Sequence, residues 1–215
     1  MRLSKKLLSV PECISLLLLS VLALPVMAAA TLVDIQQRWD ETNFVLQGDA
    51  QLAAFEQLVV DVDAYTGAHA DEAEAWVWSG IIRSSFAGAK GGLGALKLAK
   101  AAKKDFEQAL ERDERAMAGA ALSSLGTLYS SVPGWPIGFG NDKKAEEFLR
   151  RGLEIDPDGL ESNFFYAEYL RDHKRNSEAR LHYQLALNSK PRPGRQIADQ
   201  GRKQAIKEIL AGMGG

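Results

Sequence analysis

Apolar positions along this chain recur three and four residues apart, in blocks separated by short polar or glycine-containing turns. Asp49 can cap a helix running to about Tyr65, with Gly67 at its end. The spacing then predicts helices over 73–87, over 93–112 with a lysine-rich face, and over 116–131, which is small and apolar. After a proline- and glycine-rich interruption come 142–155, 160–173, 177–189 and 196–210. No proline falls between Pro25 and Pro133, so nothing breaks the earlier helices.

The blocks repeat. Ala179-x3-Tyr183-x2-Ala186-x4-Pro191 is mirrored by Ala145-x3-Leu149-x2-Gly152-x4-Pro157, 34 residues earlier. That period and the small-x3-large pattern are those of tetratricopeptide repeats. Preceding helices should read large-x2-apolar-small-x2-aromatic. Leu122-x2-Leu125-Gly126-x2-Tyr129 does so, and Asn163-x2-Tyr166-Ala167-x2-Leu170 more loosely. An earlier, degenerate unit shows Trp76-x3-Gly80 and then Ala102-x3-Phe106-x2-Ala109. The small residues of paired helices lie 12 apart in the last unit (167 to 179), 19 in the middle one (126 to 145) and 22 in the first (80 to 102). Extra residues therefore fall at 132–141 and 87–94. Small positions let paired helices approach closely, while Phe106, Tyr129 and Tyr183 fill the space between units.

Composition agrees with this pattern. Ala and Leu together number 58 and Val, Ile and Thr only 23, an imbalance that favours helix over strand. The expected fold is all-α: a right-handed α-solenoid of about three tetratricopeptide-like helix pairs, preceded by a helix and closed by a C-terminal capping helix. A net charge of -2 among 215 residues argues against a nucleic-acid partner, and 46% hydrophobic residues against disorder.

The first thirty residues stand apart. Arg2, Lys5 and Lys6 precede the apolar run 14–26, which ends in Met27-Ala28-Ala29-Ala30. This is the layout of a signal peptide over 1–30, with cleavage after Ala28 or Ala30, leaving 31–215 as a single helical domain. Thirteen residues are short of the roughly twenty that a membrane span needs, so no stable membrane insertion is expected after cleavage. Export to the periplasm, ahead of secretion into the medium, is the expected address. Cys13, the single cysteine, goes with the signal, so the exported chain must hold together by packing alone.

The segments Leu125-Gly-Thr-Leu-Tyr129, Val132-Pro-Gly-Trp-Pro-Ile-Gly-Phe-Gly-Asn141 and Arg192-Pro-Gly-Arg195, followed by Asp199 and Arg202, carry a more specific likeness. With residues 76–109 they resemble bacterial periplasmic tetratricopeptide proteins associated with TRAP-type solute transporters. The resemblance implies a soluble protein-binding module, a homo-oligomer among its forms, whose partner is a periplasmic solute-binding protein. It also implies lipophilic solutes as conceivable cargo.

Two regions are candidate partner sites. In the loop 132–141, Trp135, Ile137 and Phe139 can present a rigid apolar contact; alternatively Trp135 folds back and plugs the helix ends. On the inner face of the stack, Val77, Ile81, Ser123, Thr127, Ser130, Phe164, Glu168 and Arg171 can line a peptide groove or simply be solvated. The glycine-rich stretch 87–94 lacks the Gly-Lys-Ser/Thr and the preceding strand of a phosphate loop and reads as a turn. Lys97, Lys100 and Lys104 read as a solvent face, partly neutralised by Asp105, Glu107 and Glu111. His69, His173 and His182 have no metal-ligand spacing, and no nucleophile motif appears. Asp199 between Arg195 and Arg202 reads as an ion-pair ladder on one helix. No cofactor, metal or catalytic residue is expected. The expected function is non-catalytic protein binding in support of a solute transporter; the alternative is a carrier of a lipophilic ligand in a helical channel, with an enzyme last.

Overall fold

A computed structural model describes residues 30–213; the signal-peptide assignment lies outside the described residues. Every regular element described is helical. In chain order they are α1 (Leu32–Phe44), α2 (Gly48–Ala68), α3 (Ala73–Lys90), α4 (Gly92–Arg112), α5 (Ala120–Ser131), α6 (Asp142–Ile155), α7 (Leu160–Asp172), α8 (Asn176–Asn188) and α9 (Gln196–Gly212). Successive helices pack as neighbours, most extensively within the hairpins α3/α4, α5/α6 and α7/α8. None of the described helices is long and apolar enough to cross a membrane.

The repeated small residues sit where hairpin partners touch. Ala145, Ala179 and Ala186 are fully buried, as are Ala102 and Ala109 in the degenerate unit. Between them Phe106, Leu149 and Tyr183 fill equivalent places, each 1% exposed or less. At Gly126 the approach is so close that a Cβ would lie 2.5 Å from Leu149 Cγ and 3.0 Å from the Ala145 carbonyl oxygen. Only hydrogen fits there.

Three local expectations change. α1 was not expected as a helix. Thr31 and Asp34 close a capping box at its start, and Ile35, Trp39 and Thr42, on one face, bury it against its neighbours. With α2 it encloses a second core of Phe55, Leu58, Val62, Trp78 and Ile82. The extra residues at 87–94 do not make a loop: α3 runs on to Lys90, and α4 restarts after Gly91, whose φ of 63° reverses the chain. The excess is absorbed as added turns, making α3 and α4 18 and 21 residues long. Residues 116–119 are not part of α5 but a tight turn in which Met117 and Ala118 take positive φ, so the helix starts at Ala120. By contrast, the excess at 132–141 is a true loop between α5 and α6.

The chain also closes on itself. α9 packs against α8 and reaches back to α1. Arg195 at its start donates from Nε and Nη2 to the two carboxylate oxygens of Asp40, at 3.0 and 2.8 Å, with side-chain exposures of 14% and 4%. Its guanidinium lies 5.6 Å from the Trp39 ring and 5.1 Å from that of Trp78. The expected ladder on α9 is therefore replaced by ties between elements. Asp199 pairs with Arg192, Arg202 with Glu161 of α7, and Arg195 with Asp40. Burying these guanidiniums requires an anion on a facing element, which a neighbour on the same exposed helix face cannot supply.

Candidate functional site

The loop between α5 and α6 is held by its own backbone. Ile137 and Gly138 N–H donate to the Gly134 carbonyl at 3.2 and 3.1 Å, Gly140 N–H to Pro133 at 3.0 Å, and Asn141 N–H to Tyr129 at 2.8 Å. A side chain at Gly140 would overlap the Val132 carbonyl, so the strands of the loop touch directly. Phe139 is half-buried, edge-on to Tyr129 with ring centres 5.5 Å apart, and Lys103 Nζ lies 5.9 Å from its ring. Phe139 thus anchors the loop rather than forming its tip. Trp135 and Ile137 project outward, 89% and 66% exposed. The reading in which Trp135 plugs the helix ends is overturned, because the four backbone bonds turn the 134–137 segment away from the core.

Beside this loop the closed chain surrounds a cavity of about 1190 Å³. Val132, Pro133 and Ile137 form part of its wall, so tip and cavity share a rim. Of the expected inner-face residues, Ile81, Ser123 and Thr127 line it. The others are spent elsewhere. Val77 lies in the core, and Ser130 Oγ donates to the Thr127 carbonyl at 3.0 Å. Phe164 is 7% exposed and lies under the Arg202 guanidinium, 4.0 Å from its ring centre. Glu168 accepts from the Tyr183 hydroxyl and pairs with Arg171 at 2.8 Å. α9 reaches this face only through Arg202, which lies on Phe164 and pairs with Glu161; Glu168 and Arg171 are engaged by α7 and α8 themselves and stay partly exposed.

Residues that sequence reasoning missed line the cavity instead: Trp39, Trp78, Phe165 and the arginines of 192–202. Phe165, next to Phe164, is half-buried against it. The indole Nε1 of Trp78 and the hydroxyl of Ser189, on two of the lining residues, are buried without a hydrogen-bond partner among the described residues. Burial pushes the carboxyl of Asp40 upward, against the pull of Arg195, and that of Asp156 upward against Arg192.

The lysine face of α4 is as expected at Lys97, Lys100 and Lys104, which are exposed. Asp105 does not neutralise it. It is 8% exposed and accepts from Ser79 Oγ at 2.8 Å and Arg83 Nη1 at 3.0 Å on α3. Burial raises its carboxyl, opposed by Arg83 and Ser79. Among the described residues, no three His, Asp or Glu side chains converge as a metal site would require. Compared with known proteins, the chain matches no protein-family model and no curated protein.

Proposed function

We propose that the protein is a periplasmic tetratricopeptide-like scaffold that binds a protein partner without catalysis, and that Trp135 and Ile137 are the contact. The 34-residue frame of buried alanines supports the repeat reading. One observation carries the contact reading: an indole 89% exposed at the tip of a loop fixed by four backbone hydrogen bonds. A Trp carried on a loop whose backbone is already fixed gives up little backbone entropy on binding, and Trp side chains are among those that dominate interface energies. The resemblance to proteins associated with TRAP-type transporters makes a periplasmic solute-binding protein the partner to try first. Ser123 and Thr127 sit on the cavity wall beside the tip; Ser130, Phe164, Glu168 and Arg171 act in packing.

The test is capture by immobilised wild type against Trp135→Ala/Ile137→Ala. A partner held by wild type and lost by the double variant, at unchanged helicity, is the expected result. Equal capture by both removes the tip as the contact. A second reading, a carrier of a small apolar ligand, is favoured by the cavity of about 1190 Å³, somewhat larger than the roughly 300–1,000 Å³ of most small-molecule sites.

A further inference from the structure

We propose that the cavity takes an uncharged amphipathic molecule: its carbonyl-type acceptor meets the buried arginines near α9, and its apolar body lies along α3, α4 and α5. This rests on the cavity reading and not on the Trp135 contact.

The wall is divided by chemistry. All its charged residues come from two stretches, 156–161 and 190–202, which lie together at the α7–α9 end. The parts contributed by α1, α3, α4, α5 and the 132–137 loop carry none; they are apolar, hydroxyl, amide or glycine positions such as Ile81, Leu96, Met117 and Thr127. An apolar molecule would leave the first end unmatched, and a wholly polar one the second.

The charged end offers unused donors. Arg202, its side chain 15% exposed, donates from Nε to Glu161 Oε2 at 2.9 Å, and neither of its Nη groups has an acceptor among the described residues. Arg195 spends Nε and Nη2 on Asp40, and its Nη1 has no acceptor there. Both heads are seated on aromatic faces, Arg195 on Trp39 and Trp78 and Arg202 on Phe164, so the donors are held in place before anything binds. A ligand acceptor meeting them would make charge-assisted bonds in a largely buried site.

Charge decides the kind of acceptor. Asp40 answers Arg195, while Asp199 and Glu161 answer Arg192 and Arg202. The remaining charges on the wall are Asp156, Asp158 and Lys190, a net of -1. No cationic surplus awaits an anion, while the Nη groups of Arg202 and Nη1 of Arg195 hold no acceptor among the described residues. An ester or amide carbonyl can meet these donors without adding negative charge beside arginines that are already paired.

The experiment titrates the full chain with methyl dodecanoate, dodecane, dodecanoate and dodecylammonium. Emission from Trp39 and Trp78, both on the wall, gives affinity, and native mass spectrometry gives stoichiometry. The ester is expected to bind one per chain, at least tenfold more tightly than dodecane, and more tightly than dodecanoate or than dodecylammonium, which offers the arginines no acceptor. Arg202→Met should bring the ester down to the level of dodecane. Thr127→Trp, which fills the wall away from the arginines, should abolish ester binding even if Arg202→Met does not fold. Trp135→Ala should leave it intact, which separates this site from the partner contact. Equal binding of ester and dodecane, tighter binding of dodecanoate, or unaltered ester binding by Thr127→Trp would overturn the proposal.

Discussion

Replacing Gly126 by Ala tests the close helix contact at the centre of the repeat frame. The new methyl would sit 2.5 Å from Leu149 Cγ and 3.0 Å from both Leu149 Cδ2 and the Ala145 carbonyl oxygen. Leu149 is 1% exposed and has nowhere to swing, and the carbonyl belongs to the α6 backbone, so the two helices must separate. Overpacking of this kind costs about 1–3 kcal/mol. Alanine regains roughly 0.5–1 kcal/mol of helix propensity over glycine. With backbone among the overlaps the cost belongs in its upper half, leaving a net loss of about 1–2.5 kcal/mol. The control is Gly67→Ala in the last turn of α2, where nothing lies within 4 Å and the propensity gain stands alone. At about 2–4 °C per kcal/mol for a domain of this size, Gly126→Ala should melt roughly 2–10 °C lower. Gly67→Ala should melt at or slightly above the wild-type temperature. Calorimetric melts of the three proteins decide it; a Gly126→Ala protein as stable as Gly67→Ala would refute the close-contact reasoning.

Asp40→Ala leaves the Arg195 guanidinium buried without its anion and should cost about 3–5 kcal/mol in urea unfolding, part of it recovered by adding Arg195→Met. Little or no loss would mean that α1 and α9 are not held together by this pair. His182 Nδ1 lies 2.8 Å from Asn163 Oδ1, and burial holds its imidazole below the ordinary value of 6.5. The folded state therefore favours neutral His182, so its stability is fully present above pH 6.5 and is lost as the pH falls through the lowered value. Melting temperatures between pH 5 and 7 should rise with pH in the wild type and less steeply in His182→Gln; equal slopes would contradict the assignment. Trp135→Ala should change stability by no more than about 0.5 kcal/mol, since the side chain is 89% exposed, and a larger loss in thermal melts would point to a packing role.

The parts of this fold that repeat locally were legible in the sequence, and the parts built from distant contacts were not. Ala145, Ala179 and Ala186 declare themselves because close helix contact demands small residues at a fixed spacing. α1 gave no such sign: its burying face of Ile35, Trp39 and Thr42 belongs to no repeat and adjoins the leader-like segment. The stretch 87–94 reads as a turn because glycines usually break helices, but here α3 and α4 both continue almost to Gly91, supported by the tertiary contacts of the hairpin. Of the inner-face residues, Ile81, Ser123 and Thr127 line the cavity, whereas Phe164 packs beneath Arg202 and Glu168 pairs with Arg171. The closure of this cavity was not foreseen, because it comes from Arg195 meeting Asp40 across 155 residues, which ties α9 to α1. Pairing at that separation leaves no local period to read. The exposure of Trp135 was equally hidden, since the same apolar sequence serves a tucked loop or a projecting one until Gly134, Gly138 and Gly140 fix the backbone path.

The most direct test of the proposed partner contact is site-specific photo-cross-linking in living cells that express the full chain. A photoreactive phenylalanine analogue is placed at position 135, at 137, or at the exposed control position Lys97 on α4. Positions 135 and 137 should each capture the same single protein, with none at position 97. Capture from position 97 and none from the loop would contradict a partner contact at Trp135.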